Sequence, residues 1–371
     1  MNRLRAILDL ARWAPSGDNS QPWRFEILSP RHVVVHAVAP QLGVYDLEGH
    51  ASLLSVGALL ETLRIAASVD GFIVHTRLRN ESGADLARVD VRLEEAAGIA
   101  ADPLHAFILT RSVQRRALQT RALDESTRQA LEASLGPGFR VVWFAEPRER
   151  LRLAWLVVRS AKIRLTIPEA YVVHRQVIEW DARTSEDRIP DQALGADRLS
   201  VRSMRWVLHS WPRVQRMNRW FGGTLAPRLQ LELIPGMRCA AHFALIAERA
   251  PVGVDDHLAA GAAMQRFWLT ATSLGVQMQP QHTPLAFAAY VRRGIAFTQV
   301  ASATARAVAI AAMLERLLGT GVAERAVFLG RLGHGPAATA RSLRLPLDRL
   351  AWSMPAATPT ATATAPPCLR G

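Results

Sequence analysis

Lysine is almost absent. Of the 45 basic residues among 371 positions, Lys162 alone is a lysine, and arginine supplies the rest against 32 acids. The formal charge of +13 favours anionic partners such as phosphates, nucleic acid or acidic lipid. The arginines are spread along the chain and do not form one block with interleaved aromatics, so no nucleic acid is expected. Cysteine is nearly missing too. Cys239 and Cys368 form no metal pattern and no disulfide framework, which predicts a reduced, cytoplasmic setting. No apolar run approaches the roughly 18–20 residues that span a bilayer, so no transmembrane segment is expected. The start, Met1-Asn2-Arg3-Leu4-Arg5, leads into an amphipathic segment, which predicts no export. There is no HExxH, no Cys-x-x-Cys and no nucleophile elbow. Glu169, His174 and Glu179 recur every five residues, a spacing that does not share one helix face. They read as surface or lid residues, not metal ligands.

What is present is a large apolar fraction, 49%, enough for a sizeable core. Leu4, Ile7, Leu8 and Ala11 predict an opening amphipathic helix, stopped by the turn formers Pro15 to Asn19. Strands follow over Trp23–Leu28 and His32–Val38. A strong helix runs from Ser52 to Ser68 and ends near Asp70-Gly71. Phe72–Leu78 and Val89–Leu93 read as strands. A second unit begins near Leu104. In it, Asp124 opens a helix, Arg140–Phe144 is a strand, and Leu151–Trp180 is a long interrupted helical stretch. Residues 181–236 are irregular and rich in Arg, Trp and Pro. Cys239–Ala247 reads as a strand, Asp255–Leu274 as a helix capped by Asp255 or Asp256, and Gly275–Pro280 as the turn out of it. Ala301–Leu318 is a helix and Ala326–Gly330 a last strand. Residues 351–371, mostly Pro, Ala and Thr from 355 on, predict a disordered tail.

Four segments carry chemistry. The first is Ala14-Pro15-Ser16-Gly17-Asp18-Asn19-Ser20-Gln21-Pro22-Trp23, between a helix and a strand. Such a loop offers backbone groups and the Asn19 amide to a ring edge with alternating donors and acceptors. The second is Arg111-Ser112-Val113-Gln114-Arg115-Arg116, whose guanidiniums suit a phosphate. The third is Arg331-Leu332-Gly333-His334-Gly335-Pro336, followed by Arg341-Ser342-Leu343-Arg344-Leu345-Pro346. The fourth is Gly275 to Thr283, with Pro280-Gln281-His282-Thr283 at its end.

Together these segments resemble the FMN-dependent nitroreductase family, over roughly residues 4–125 and 237–350. The resemblance implies an α+β nitroreductase-like fold with two halves fused in one chain and mixed, largely antiparallel sheets flanked by helices. The halves would be 1–103 and 104–350, with a cap inserted at about 181–236. It implies an FMN oxidoreductase driven by NADH or NADPH that reduces a nitroaromatic, quinone or similar small-molecule electrophile. Pro15, Ser16 and Asn19 would contact the flavin. Arg111, Ser112, Arg115, Arg341 and Arg344 would hold its phosphate. Pro280, Gln281, His282 and Thr283 would form the turn beside flavin N5, where a backbone N–H stabilises developing charge. His282 would be an exposed turn residue more than an acid. Val113 stands where the family carries a hydroxyl, which removes one phosphate contact. The first half lacks a phosphate-binding start and the second lacks the Pro-Ser-Asn loop, so one FMN per chain is expected, in a monomer acting as a pseudo-dimer. The alternative is a flavin-binding or flavin-storing protein with little turnover. Residues 200–222 carry Arg202, Arg205, Arg213, Arg216 and Arg219 with Trp206, Trp211, Trp220 and Phe221, and Pro212 interrupts them. They read as the flavin cap, against the alternative of peripheral membrane contact.

Overall fold

The computed structural model describes residues 2–39, 43–79 and 85–353. Most of the expected tail, 354–371, and Cys368 lie outside the described residues. The chain opens with α1 (Asn2–Ala11), which buries Leu4, Ile7, Leu8 and Ala11 on one stripe, as their spacing requires. β1 (Trp23–Ser29) and β2 (His32–Ala37) form an antiparallel hairpin. Then come α2 (His50–Val69), β3 (Phe72–Leu78) and β4 (Ala87–Glu95). The connector 96–124 crosses to the second sheet, and α3 (Glu125–Ala133) follows, capped by the Asp124 carboxylate on Thr127 N–H at 2.8 Å. After β5 (Phe139–Phe144) lies a long insertion. It holds α4 (Pro147–Arg164), α5 (Pro168–Val177), the two-residue strands β6 (Ile178–Glu179), β7 (Thr184–Ser185) and β8 (Ile189–Pro190), then α6 (Arg198–Leu208), α7 (Trp211–Trp220), α8 (Leu225–Arg228) and α9 (Ile234–Met237). The chain returns through β9 (Ala241–Ala247), α10 (Val254–Ser273), β10 (Gln277–Pro280), α11 (Thr283–Arg293), α12 (Ala301–Leu318), β11 (Ala326–Gly333) and β12 (Arg341–Ser342).

Two four-stranded sheets result, ordered β1-β2-β4-β3 and β5-β9-β11-β10. Every pairing in both is antiparallel. Their connectivity is the same. A helix precedes the first strand, a 20-residue helix joins the second to the third, and the third strand lies at the edge beyond the fourth. The two long helices match residue by residue at one constant offset: Leu54 with Leu258, Gly57 with Gly261, and Gly71 with Gly275. Both terminal glycines are left-handed, at φ +74° and +71°. α2 and α10 cross at the matched glycines. A Cβ on Gly57 would sit 2.0 Å from the Leu258 carbonyl oxygen, and one on Gly261 2.0 Å from the Leu54 carbonyl oxygen. Only glycine permits this reciprocal backbone approach.

β9 is buried along its whole length, and its residues alternate between two cores. Phe243, Leu245 and Ala247 join the core around α1, α2 and α10, while Ala244 and Ile246 join the one under α4, α11 and α12. Three expectations needed correction. First, residues 277–280 form a strand paired with β11 and are not part of a turn, because β11 offers them a free edge. Second, a helix, Thr283–Arg293, follows where the sequence pattern predicts none. Third, Leu47–Val69 is long and apolar enough to cross a membrane, with mean hydropathy 1.4, yet 83% of its apolar window is buried inside the fold as a core helix.

Candidate functional site

The loop before β1 departs from ordinary backbone geometry. Asp18, Asn19 and Gln21 all have positive φ, at 51°, 61° and 47°. Such strain persists only where surroundings over-determine it. Here Arg344 donates from Nε and Nη2 to the Ala14 carbonyl at 3.0 and 2.8 Å, and from Nη1 to Asn19 Oδ1 at 2.9 Å. Gln21 Oε1 accepts from Leu345 N–H at 2.9 Å, and Ser16 Oγ accepts from Gln21 N–H at 3.0 Å. The C-terminal basic segment and the Pro15–Asn19 loop are thus one structure. Pro15 and Ser16 shape it, and Arg344 is committed to it.

Arginines gather beside this loop. Arg111 donates to the Trp13 carbonyl at 2.9 Å and lies 4.5 Å from the Trp268 ring centroid. Arg341 donates to the carbonyls of Leu109 and Arg111, at 2.7 and 3.2 Å, and lies 5.2 Å from the Trp13 ring centroid. The Nε groups of both are buried without a partner. Burial, then the neighbouring guanidiniums, holds Arg111 well below its ordinary range and Arg344 at about 9. Among Arg12, Arg111, Arg341 and Arg344, the described ion pairs include only Arg12 with Asp9. Uncompensated buried cations with spare donors call for an anion.

Next to this cluster Asp18, Tyr45, Arg115, Arg164 and His174 act on one another electrostatically. Each is set deep in the molecule yet keeps accessible surface, from which we infer a recess among them. Burial pushes the Asp18 carboxyl up against the pull of Arg115 and Arg164. It also pushes Arg115 down. Burial disfavours the Arg164 cation, but Glu232, Tyr45 and Asp18 outweigh it and hold the group above its ordinary range. Arg164 pairs with Glu232, itself raised by burial. Tyr45 Oη lies 3.0 Å from His174 Nε2. Burial and then Arg164 lower His174 to about 3. Ser112 lies on the connector, next to the Val113–Met278 bridge that ties residues 111–116 to β10. Arg331, fully buried, donates to the carbonyls of Arg115 and Arg116 at 2.7 and 2.8 Å and fixes that segment.

Pro280 ends β10 opposite Gly330, and the next residue, Gln281, continues the pairing with its N–H on the Leu329 carbonyl at 2.7 Å. Gln281 Oε1 lies 2.8 Å from His242 Nδ1, and His242 Nε2 donates to the Gly236 carbonyl at 2.8 Å. Burial lowers His242 to about 4. His282 is likewise lowered by burial and faces Asp46 and His50 at the start of α2. It is half-buried, not an exposed turn residue. Thr283 opens α11, so its N–H has no intrahelical acceptor.

The middle of the insertion, residues 184–193, lies against these elements. Asn19 Nδ2 donates to the carbonyls of Glu186 and Arg188 at 3.0 and 3.2 Å, and Arg115 donates to that of Ala193 at 3.1 Å. β7 pairs with β12. Residues 200–222, the expected cap, are attached through buried Val214, the Trp211–Tyr171 ring pair and Asn218 on the Leu165 carbonyl, and none of the described hydrogen bonds joins them to Asn19 or Arg115. Glu169 bonds Thr298 and Glu179 bonds Ser185, so neither shares a centre with His174. No cluster of potential metal ligands occurs among the described residues.

The sequence motifs include Asp18 without giving it a role, and they leave out Tyr45, Arg164, Glu232 and His242, which stand in no recognisable spacing and are brought together by separate elements. A separate cleft of about 490 Å³ lies between α2, α10, β3 and the turn before β5. Its arginines are already neutralised: Arg64 faces Glu61 at 3.3 Å, and Arg266 faces Glu61 and Asp102 at 2.8 and 2.6 Å.

No family model and no curated protein matches the chain. Among solved structures, a nitroreductase-like family protein from Bacillus cereus is similar to it at 13% identity. The match covers 68% of this chain and 96% of that one, with a TM-score of 0.34.

Proposed function

We propose that this chain is an FMN-dependent oxidoreductase of nitroreductase type, built from two fused halves, 1–103 and 104–350, and holding one FMN in the recess. The reductant is NADH or NADPH, and the acceptor is a small electrophile such as a nitroaromatic or quinone. The observation that carries this reading is the convergence of three motif segments. Arg344 grips the loop Pro15–Asn19, Arg111 of the connector donates to the Trp13 carbonyl just before that loop, and the Val113–Met278 bridge ties the connector to the strand that ends at Pro280. The shared connectivity of the two sheets supports the fusion.

The residues present suit the cofactor. The unpartnered Nε donors of Arg111 and Arg341 are what a phosphate dianion satisfies. Arg115, Arg164, Arg111, Ser112 and Arg341 would hold the phosphate. Arg344 acts by holding Asn19 and Ala14 in place. Pro15, Ser16 and Asn19 would border the ring, and Thr283 N–H, at the positive end of the α11 dipole, would face it beside Gln281 and His282. When bound, FMN supplies hydride transfer between nicotinamide and acceptor. The protein excludes water and orients the ring, and Tyr45 Oη and the Asp18 carboxyl, raised by burial, border the recess. The part of the insertion that lies against Asn19 and Arg115 favours a second reading, flavin storage with slow turnover. An anaerobic titration with NADPH separates the two. Rapid bleaching of bound flavin, reversed by a quinone, is the expected result. Bound flavin that stays oxidised would establish storage, and a chain that takes up no flavin would overturn both.

A further inference from the structure

The outer part of the insertion has a surface that the flavin reading does not use. α6 buries no residue at all. Its half-buried side, Val201, Met204 and Leu208, faces the protein, while Leu199, Arg202 and Trp206 recur at helical spacing on the exposed side. Exposed bulky side chains continue along the segment: Trp206 at 55%, Trp220 at 69%, Phe221 at 74% and Leu225 at 54% exposure. Trp220 and Phe221 project together at the end of α7, just before left-handed Gly222. Leaving this much aromatic and aliphatic surface in water is unfavourable, and such a concentration marks an interaction site.

The charge of the same segment says what it meets. Seven arginines lie between positions 198 and 231, and not one Asp or Glu. Arg205 is spent on Asp181, outside the segment. Arg213 lies 4.9 Å from the Trp206 ring centroid and Arg219 5.2 Å from that of Trp220. Each pair is an apolar ring carrying a guanidinium, suited to a boundary between acyl chains and phosphate headgroups. We propose that α6, α7 and the 221–237 segment seat this protein on an anionic lipid bilayer, as a peripheral contact. Nucleic acid would use the arginines but leave Leu199, Leu225 and Ile234 in water. A two-fold contact with a second copy would set the arginine face against itself.

The test uses the full chain and sedimentation with vesicles. The protein is expected to pellet with phosphatidylcholine vesicles containing phosphatidylglycerol, less so as salt rises, and not with phosphatidylcholine alone. Replacing Arg202, Arg216 and Arg219 together by Ala should weaken partitioning roughly 100-fold, at about five-fold per arginine. The pair Trp220→Ser and Phe221→Ser should also release the protein. Both variants should keep the parent far-UV circular dichroism. Brominated lipid should quench tryptophan emission in the parent, and less so in a Trp206→Phe, Trp220→Phe variant. The proposal is overturned by failure to pellet with anionic vesicles at low salt, or by pelleting that neither variant reduces. It is equally overturned if vesicles are ignored while an RNA oligonucleotide binds, or while the variants abolish a dimer instead.

Discussion

The crossing of α2 and α10 makes a quantitative demand. Gly57→Ala places a methyl carbon 2.0 Å from the Leu258 carbonyl oxygen, and Gly261→Ala places one 2.0 Å from that of Leu54. Carbon–oxygen contacts need about 3.3 Å, so the helices must part by about 1 Å. The obstacle is backbone in both cases and cannot rotate away. Overpacking a core costs about 1–3 kcal/mol. Because the blocking atoms belong to helices whose own side chains Leu59, Met264 and Phe267 are packed in the core, the upper end applies. Alanine gains about 1 kcal/mol over glycine within a helix. Each variant should therefore lose about 2 kcal/mol net. The double variant should lose clearly less than the sum, since the first methyl already opens the gap the second needs. Urea unfolding followed by far-UV circular dichroism measures this, with a midpoint drop of about 1 M for each single variant. A neutral or stabilised single variant would refute the reciprocal close approach, and so would a fully additive double.

Further outcomes follow from the site. Arg115→Ala and Arg164→Ala should each weaken FMN binding by roughly 10- to 150-fold, the loss of one charge-assisted contact; parent-like affinity in fluorescence titration would remove both from the phosphate site. Arg344→Lys keeps the charge but loses the fork that grips Ala14 and Asn19, and should cost about 2 kcal/mol and expose the 15–21 loop to limited proteolysis. Flavin released from protein reconstituted in excess FMN should approach one per chain, because the arginines of the second cleft are already paired with Glu61 and Asp102; a ratio near two would refute the single-site reading. His242 has a folded pKa of about 4 against about 6.5 unfolded, so the unfolded chain binds the extra proton between those values. Stability should fall as pH drops from about 6.5 to 4, by about 3 kcal/mol from this residue, and His242→Asn should flatten the slope in urea titrations at several pH values.

Much of the backbone plan was legible from the residues alone. Apolar periodicity placed α1, α2, α10 and α12, because a stripe that must be buried has to recur with the helix turn. Pro212 announced the break that separates α6 from α7. The motif segments around Asn19, Arg115 and Gln281 were visible because each is contiguous. β10 was not: Gln277–Pro280 alternates too little to declare a strand, and only the open edge of β11 makes it one. Likewise, Leu47–Val69 has the composition of a membrane span, and only its burial inside the fold identifies a core helix. The sequence by itself determined most of the elements, though not β10 or α11, together with the basic motifs and the charge. Tertiary structure alone decided which arginine is free and which is spent, because that depends on partners distant in the chain. It turned Arg344 toward Ala14, set Arg164 beside Asp18 and Tyr45, and left most arginines of α6 and α7 facing outward.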